Sequence, residues 1–116
     1  MGKGIILLGL LLSGCAVKNA DVRQRGPFIE RQSQKSVEDL SGCIAQKWES
    51  RVGDVSVTPR VNGITIASKL SGFLGTEAST FIVVDIEDQK TSRKLSAYAL
   101  KGERGARLQS EIDDCL

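Results

Sequence analysis

Asn62-Gly63, set between two alternating runs, constrains this chain more than any other feature. Before it, Val55, Val57, Pro59 and Val61 occupy every second position; after it, Ile64, Ile66, Ser68 and Leu70 do the same. Successive side chains of a strand point to opposite faces, so each run gathers its apolar groups on one face. Asn-Gly accepts the positive φ angles of a tight two-residue turn, and the pattern predicts a β-hairpin. A turn made of Asn62 and Gly63 pairs Val61 with Ile64, Pro59 with Ile66, Val57 with Ser68 and Val55 with Leu70. Pro59 has no N–H to donate, which predicts that the first strand lies at a sheet edge.

The flanking segments supply the other layers. Ser36-Val37-Glu38-Asp39 has the pattern of a capping box, and Val37, Leu40, Ile44 and Trp48 follow at helical spacing. The spacing predicts a helix over 37–51, with Cys43 at the edge of its apolar stripe and Trp48 as a core anchor. Gly42 lowers the intrinsic propensity of that helix, and its missing side chain could admit a neighbouring element. Residues 71–80 form a glycine-containing connection. Phe81-Ile82-Val83-Val84-Asp85-Ile86 is apolar on both faces and β-branched, which predicts a central strand. A polar turn over 87–92 leads to a fourth strand over 94–101. Gly102-Glu103-Arg104-Gly105 breaks the chain, and Leu108, Ile112 and Cys115 then mark the apolar face of a short terminal helix. The expected fold is α+β: a two-layer sandwich in the order helix, four antiparallel strands, helix.

Residues 16–35 are polar and charged, with Lys18, Asp21, Arg23, Arg25, Gly26 and Pro27 among few apolar side chains. That composition reads as a tether. Two readings stay open for Phe28 and Ile29: packing on the domain, or a small contact site.

The first fifteen residues carry a separate message. Lys3 precedes an uncharged apolar run from Ile5 to Leu12. The run has the length of an export-signal core and is far short of the roughly 20 residues that span a bilayer. It ends Leu12-Ser13-Gly14-Cys15, which resembles the lipobox of bacterial lipoproteins: an aliphatic residue, two small residues, then cysteine. The resemblance covers residues 1–15 only. It implies a diacylglyceryl group on the Cys15 sulfur, cleavage between Gly14 and Cys15, and acylation of the new amino terminus. Several acyl chains make a stable anchor, where one alone holds only marginally. Ala16 rather than aspartate after the cysteine favours the outer membrane, facing the periplasm, if the host is Gram-negative. The chain then divides into a signal peptide (1–14), a lipidated N-terminus and tether (15–35), and one small domain (36–116).

The same resemblance organises the cysteines, of which there are three. With Cys15 acylated and the chain exported to an oxidising compartment, Cys43–Cys115 is the only intramolecular disulfide left. Such a bond would staple the first helix to the last. Element order over roughly 37–115 also looks like the C-terminal domains of the TonB and TolA envelope proteins, although the extra strand departs from them. Order alone transfers no function.

No catalytic constellation emerges. The chain has no histidine, which excludes Ser-His-Asp and Cys-His mechanisms. Without histidine or a Cys-x-x-Cys pair no metal centre is expected, and no cofactor motif is present. The formal net charge is only +2, so nothing demands nucleic acid. Asp85, Glu87 and Asp88 cluster at a strand end, and Asp113 and Asp114 near the terminus; either group could hold a cation or sit in solvent. Lys101, Arg104 and Arg107 form a basic cluster that could touch lipid headgroups or face water.

These features point to a membrane-anchored, non-enzymatic module that binds a protein of the cell envelope, with Phe73 and Leu74 in the 71–80 connection as apolar contacts. Two alternatives stand beside it. One is an inhibitor or a phage or plasmid exclusion lipoprotein. Ser96-Ala97-Tyr98 and Lys101-Gly102 resemble a motif of lysozyme-inhibitor lipoproteins, whose all-β barrel the expected helices contradict. The other is a carboxylate-dependent hydrolase using Asp85 and Asp113.

Overall fold

The computed structural model describes residues 17–52, 54–70 and 79–116. Cys15, Phe73 and Leu74 lie outside the described residues. The elements are α1 (Asn19–Arg23), β1 (Ile29–Ser33), α2 (Val37–Val52), β2 (Asp54–Arg60), β3 (Gly63–Leu70), β4 (Ser79–Asp88), β5 (Arg93–Ala99), a 3-10 turn (Lys101–Glu103) and α3 (Ala106–Asp113). The strands form one antiparallel sheet in the order β1-β5-β4-β3-β2.

The architecture is α+β, with α2 and α3 covering one face of the sheet. Ile66, Ile82, Val84, Ile86, Leu95 and Ala97 project from the sheet into the main core. Leu40, Ile44, Trp48, Leu108 and Ile112 meet them from the helices, all buried. The α2 stripe is the one its sequence spacing marks, and the Ser36 hydroxyl accepts the Asp39 N–H at 3.1 Å to cap the helix. Cys43 and Cys115 are joined in a disulfide with their Cα atoms 5.8 Å apart. It ties α2 to the residue just past α3, as the two helical patterns lead one to expect. β4 is the middle strand and β2 an edge, which agrees with the apolar run of the first and with Pro59 in the second.

Three readings need correction. First, the sheet has five strands and the supposed tether is built into the domain. Ile29 is 2% exposed in the core, and β1 pairs with β5 from Ile29↔Ala97 to Ser33↔Arg93. An edge strand needs only backbone pairing and a few inward residues, so Glu30, Arg31 and Gln32 do not prevent it. Packing is therefore the fate of Ile29, and Phe28 packs half-buried beside it.

Second, the hairpin is registered differently. Arg60 pairs with Gly63, Pro59 with Ile64, Val57 with Ile66 and Val55 with Ser68, so the turn residues are Val61 and Asn62. Asn62 takes the positive φ, at 110°. Gly63 serves a different need: a Cβ there would run into the Ile86 backbone carbonyl of β4. Close approach, not turn conformation, demands this glycine. The partner has moved by two residues, so every side chain keeps its face. Val57 and Val61 are left exposed at 48% and 89%.

Third, Gly42 admits no neighbour. It is exposed on α2, and a Cβ there would meet nothing within 4 Å. The two glycines therefore predict opposite results in urea denaturation. Gly42→Ala is expected to stabilise by up to ~1 kcal/mol. Gly63→Ala is expected to destabilise by about 1–3 kcal/mol, because backbone must shift to accept it.

Candidate functional site

The second face of the sheet is polar, and chemistry-bearing side chains gather there. The pleat that sends Ile82, Val84 and Ile86 to the helices sends Val83, Asp85 and Glu87 to this side. Neighbouring strands bring Thr65 and Ser96 level with Asp85, since Thr65↔Asp85 and Asp85↔Ser96 are paired. α1 lies over part of this face. Its Val22 is fully buried, and Asp21 accepts the Lys18 backbone N–H at 2.9 Å to start the helix.

Asp85 is the hub. Arg23 of α1 grips its carboxylate with both prongs, Nε to Oδ2 at 2.9 Å and Nη2 to Oδ1 at 2.8 Å. The Thr65 hydroxyl donates to Asp85 Oδ1 at 2.7 Å and accepts from Arg23 Nη2 at 3.2 Å. Arg60, at the end of β2, adds a second guanidinium 3.0 Å from Oδ1. A planar fork matched to a carboxylate fixes orientation as well as charge, so this pair pins α1 to the sheet. Further contacts extend the clamp: Thr80 N–H donates to the Val17 carbonyl at 2.8 Å, and Thr80 Oγ1 bonds Asn19 Oδ1 at 2.8 Å.

The charge of Asp85 is settled by competition. Burial pushes its carboxyl pKa up, but hydrogen bonds from Arg23 and Thr65 and the charges of Arg23 and Arg60 prevail and hold it below the usual value. A depressed folded-state pKa means that the ionised group contributes stability above the unfolded value, near 3.9, and loses it as pH falls through the folded one. Asp85→Asn should therefore cost about 1–2 kcal/mol at neutral pH, a figure discounted because Arg23 and Arg60 are 33% and 49% exposed. Denaturation curves at neutral pH and at about pH 2.5 should show the gap from wild type closing in acid.

Beside the clamp, at the β2–β3 turn, opens a cleft of about 370 Å³. Arg60, Asn62, Glu87, Lys94, Ser96 and Tyr98 line it. With Asp85, which also borders it, these are two cations, two carboxylates, an amide, a hydroxyl and a phenol: groups that orient a polar ligand rather than engulf an apolar one.

Of the carboxylates singled out in the sequence, Asp85 and Glu87 share the cleft, and Asp88, Asp113 and Asp114 are engaged elsewhere. Asp85 is committed to Arg23, Thr65 and Arg60, whereas Asp88 accepts from Arg93 at 3.0 Å and from the Lys90 N–H at 3.0 Å. Asp113 pairs with Arg31 and Asp114 with Lys47, both among the α2 and α3 layer. The sheet stands between Asp85 and Asp113, so the two cannot act on one bond. No group of three or more metal-ligating side chains occurs among the described residues. Ser96 and Tyr98 share the cleft, but Lys101-Gly102 lie past the other end of β5. None of the described helices is long and apolar enough to cross a membrane.

Arg23, Arg60 and Thr65 were not legible as site residues. The one available signal was Asp85 itself, a charge inside an apolar central strand, which must find a partner. No family model, curated protein or solved structure matches the chain.

Proposed function

We propose that this chain is a lipid-anchored protein of the cell envelope that works by binding a partner. The Cys43–Cys115 bond carries the reading: it takes up both cysteines of the domain and leaves Cys15, at the end of the lipobox-like segment, for the anchor. A disulfide also suits an exported protein better than a cytosolic one. The bilayer is one partner, reached through acyl chains on Cys15. In a Gram-negative host the membrane is the outer one and the domain faces the periplasm. The second partner is an envelope protein that docks at the polar cleft.

A photo-crosslinking residue at Val61, on the rim of the cleft, tests the second half. In native envelopes it should give one adduct of defined mass, lost on Lys94→Glu. The same residue at exposed Gln46, on the back of α2, should give none. Identical adducts from both positions, or no adduct at Val61, would contradict the reading.

One observation favours a second reading, inhibition of an envelope hydrolase such as lysozyme: Ser96 and Tyr98 stand on the cleft wall. Inhibition abolished by Tyr98→Ala would support it, and a protein without effect on lysozyme removes it.

A further inference from the structure

The described fold begins at Val17, only two residues after Cys15. Two residues span at most about 7 Å. Val17 is not free to swing, because its carbonyl accepts the Thr80 N–H at 2.8 Å and its N–H donates to Ser79 Oγ at 3.4 Å. The Arg23–Asp85 fork locks the following turn onto the sheet. An anchor on Cys15 therefore lies within about 7 Å of Val17, which is bonded to the first residues of β4.

That end of the sheet has a sign. The Leu100 N–H donates to the Phe81 carbonyl, which sets Lys101 beside the start of β4. Lys18, Arg25, Lys101 and Arg107 are exposed there, and Lys69, one residue before the end of β3, is half-exposed. Arg104, also exposed, is held against the fold, bonded to the Ala99 and Arg25 carbonyls and stacked 5.8 Å over Phe28. Asp21, Glu49, Asp54 and Glu103 share this end, so its six described cations, Arg104 included, exceed its carboxylates by two.

Taking the lipid anchor as read above, we propose that the domain is docked on the membrane rather than tethered to it, with this basic end seated on anionic phospholipid headgroups. The anchor fixes which end faces the bilayer, and the independent placement of Lys18, Lys101 and Arg107 matches a negative surface. Docking also orients the cleft. β4 has ten residues, so with that strand along the membrane normal the β2–β3 turn and its rim of the cleft stand up to about 30 Å farther from the bilayer.

Lysine footprinting of the mature protein, taken from its membrane into lipid nanodiscs, tests this without any substitution. In discs containing anionic lipid, Lys18 and Lys101 should be modified several-fold more slowly than in purely zwitterionic discs. Lys35 and Lys90, at the opposite end, should react equally in both. Lys101→Glu with Arg107→Glu should remove the difference at Lys18. Equal behaviour of the two ends, or a difference at Lys18 that survives the double charge reversal, overturns docking. Intact mass of the same sample separates the premises: a chain without acyl groups on Cys15 overturns the anchor and docking together, whereas an acylated chain with equal rates overturns docking alone.

Discussion

Cys43→Ala together with Cys115→Ala is expected to lower stability by about 4 kcal/mol, the chain-entropy value for cysteines 72 positions apart. The bond closes nearly the whole sheet into one loop, so its loss frees the unfolded chain along most of the domain. Alanine is the right replacement, because Cys115 is fully buried and a hydroxyl there would add a desolvation cost. Most of the stability of a domain of this size rests in such a margin. The double variant should melt at least ~15 °C lower, and wild type treated with reductant should follow it. A change below ~1 kcal/mol would mean that the helix layer holds without its staple.

Trp48→Ala is expected to cost about 3–5 kcal/mol. Trp48 is fully buried where α2 crosses the sheet, and it is the largest side chain of the core. Its removal would leave a cavity that flanking residues on a helix and a sheet cannot close without losing their own packing. Trp48→Phe should cost less than about 2 kcal/mol, since the aromatic volume is largely kept. The indole Nε1 has no hydrogen-bond partner among the described residues, so phenylalanine strands no acceptor. Equal losses for the two variants in urea denaturation would contradict a packing role.

Legibility followed physical cause. α2, α3 and β4 were readable because each buries a face or two, and burial writes a period into the sequence. The apolar face of the hairpin was readable for the same reason. Its register was not, because Gly63 answers to the Ile86 carbonyl of a strand distant in sequence rather than to its own turn. β1 and α1 were missed because little of either is buried: Ile29 and Ser33 of one, Val22 of the other. What holds them is polar and long-range, such as Arg23 to Asp85, 62 positions away, and Arg31 to Asp113, 82 away. Such pairs leave no local pattern. At the site, Asp85 was visible as an anomaly and its partners were not. Ser96 and Tyr98 were noted only for a motif, without sign that they border a cleft.

In the proposed function three cysteines divide their labour, Cys15 for the anchor and Cys43 with Cys115 for the disulfide. The direct test is the mass, without reduction, of the mature protein taken from its native membrane. A chain beginning at Cys15, acylated there, with Cys43 joined to Cys115, is the predicted result. A chain that keeps residues 1–14, or one whose Cys15 carries no lipid or is disulfide-bonded to either partner, would contradict it.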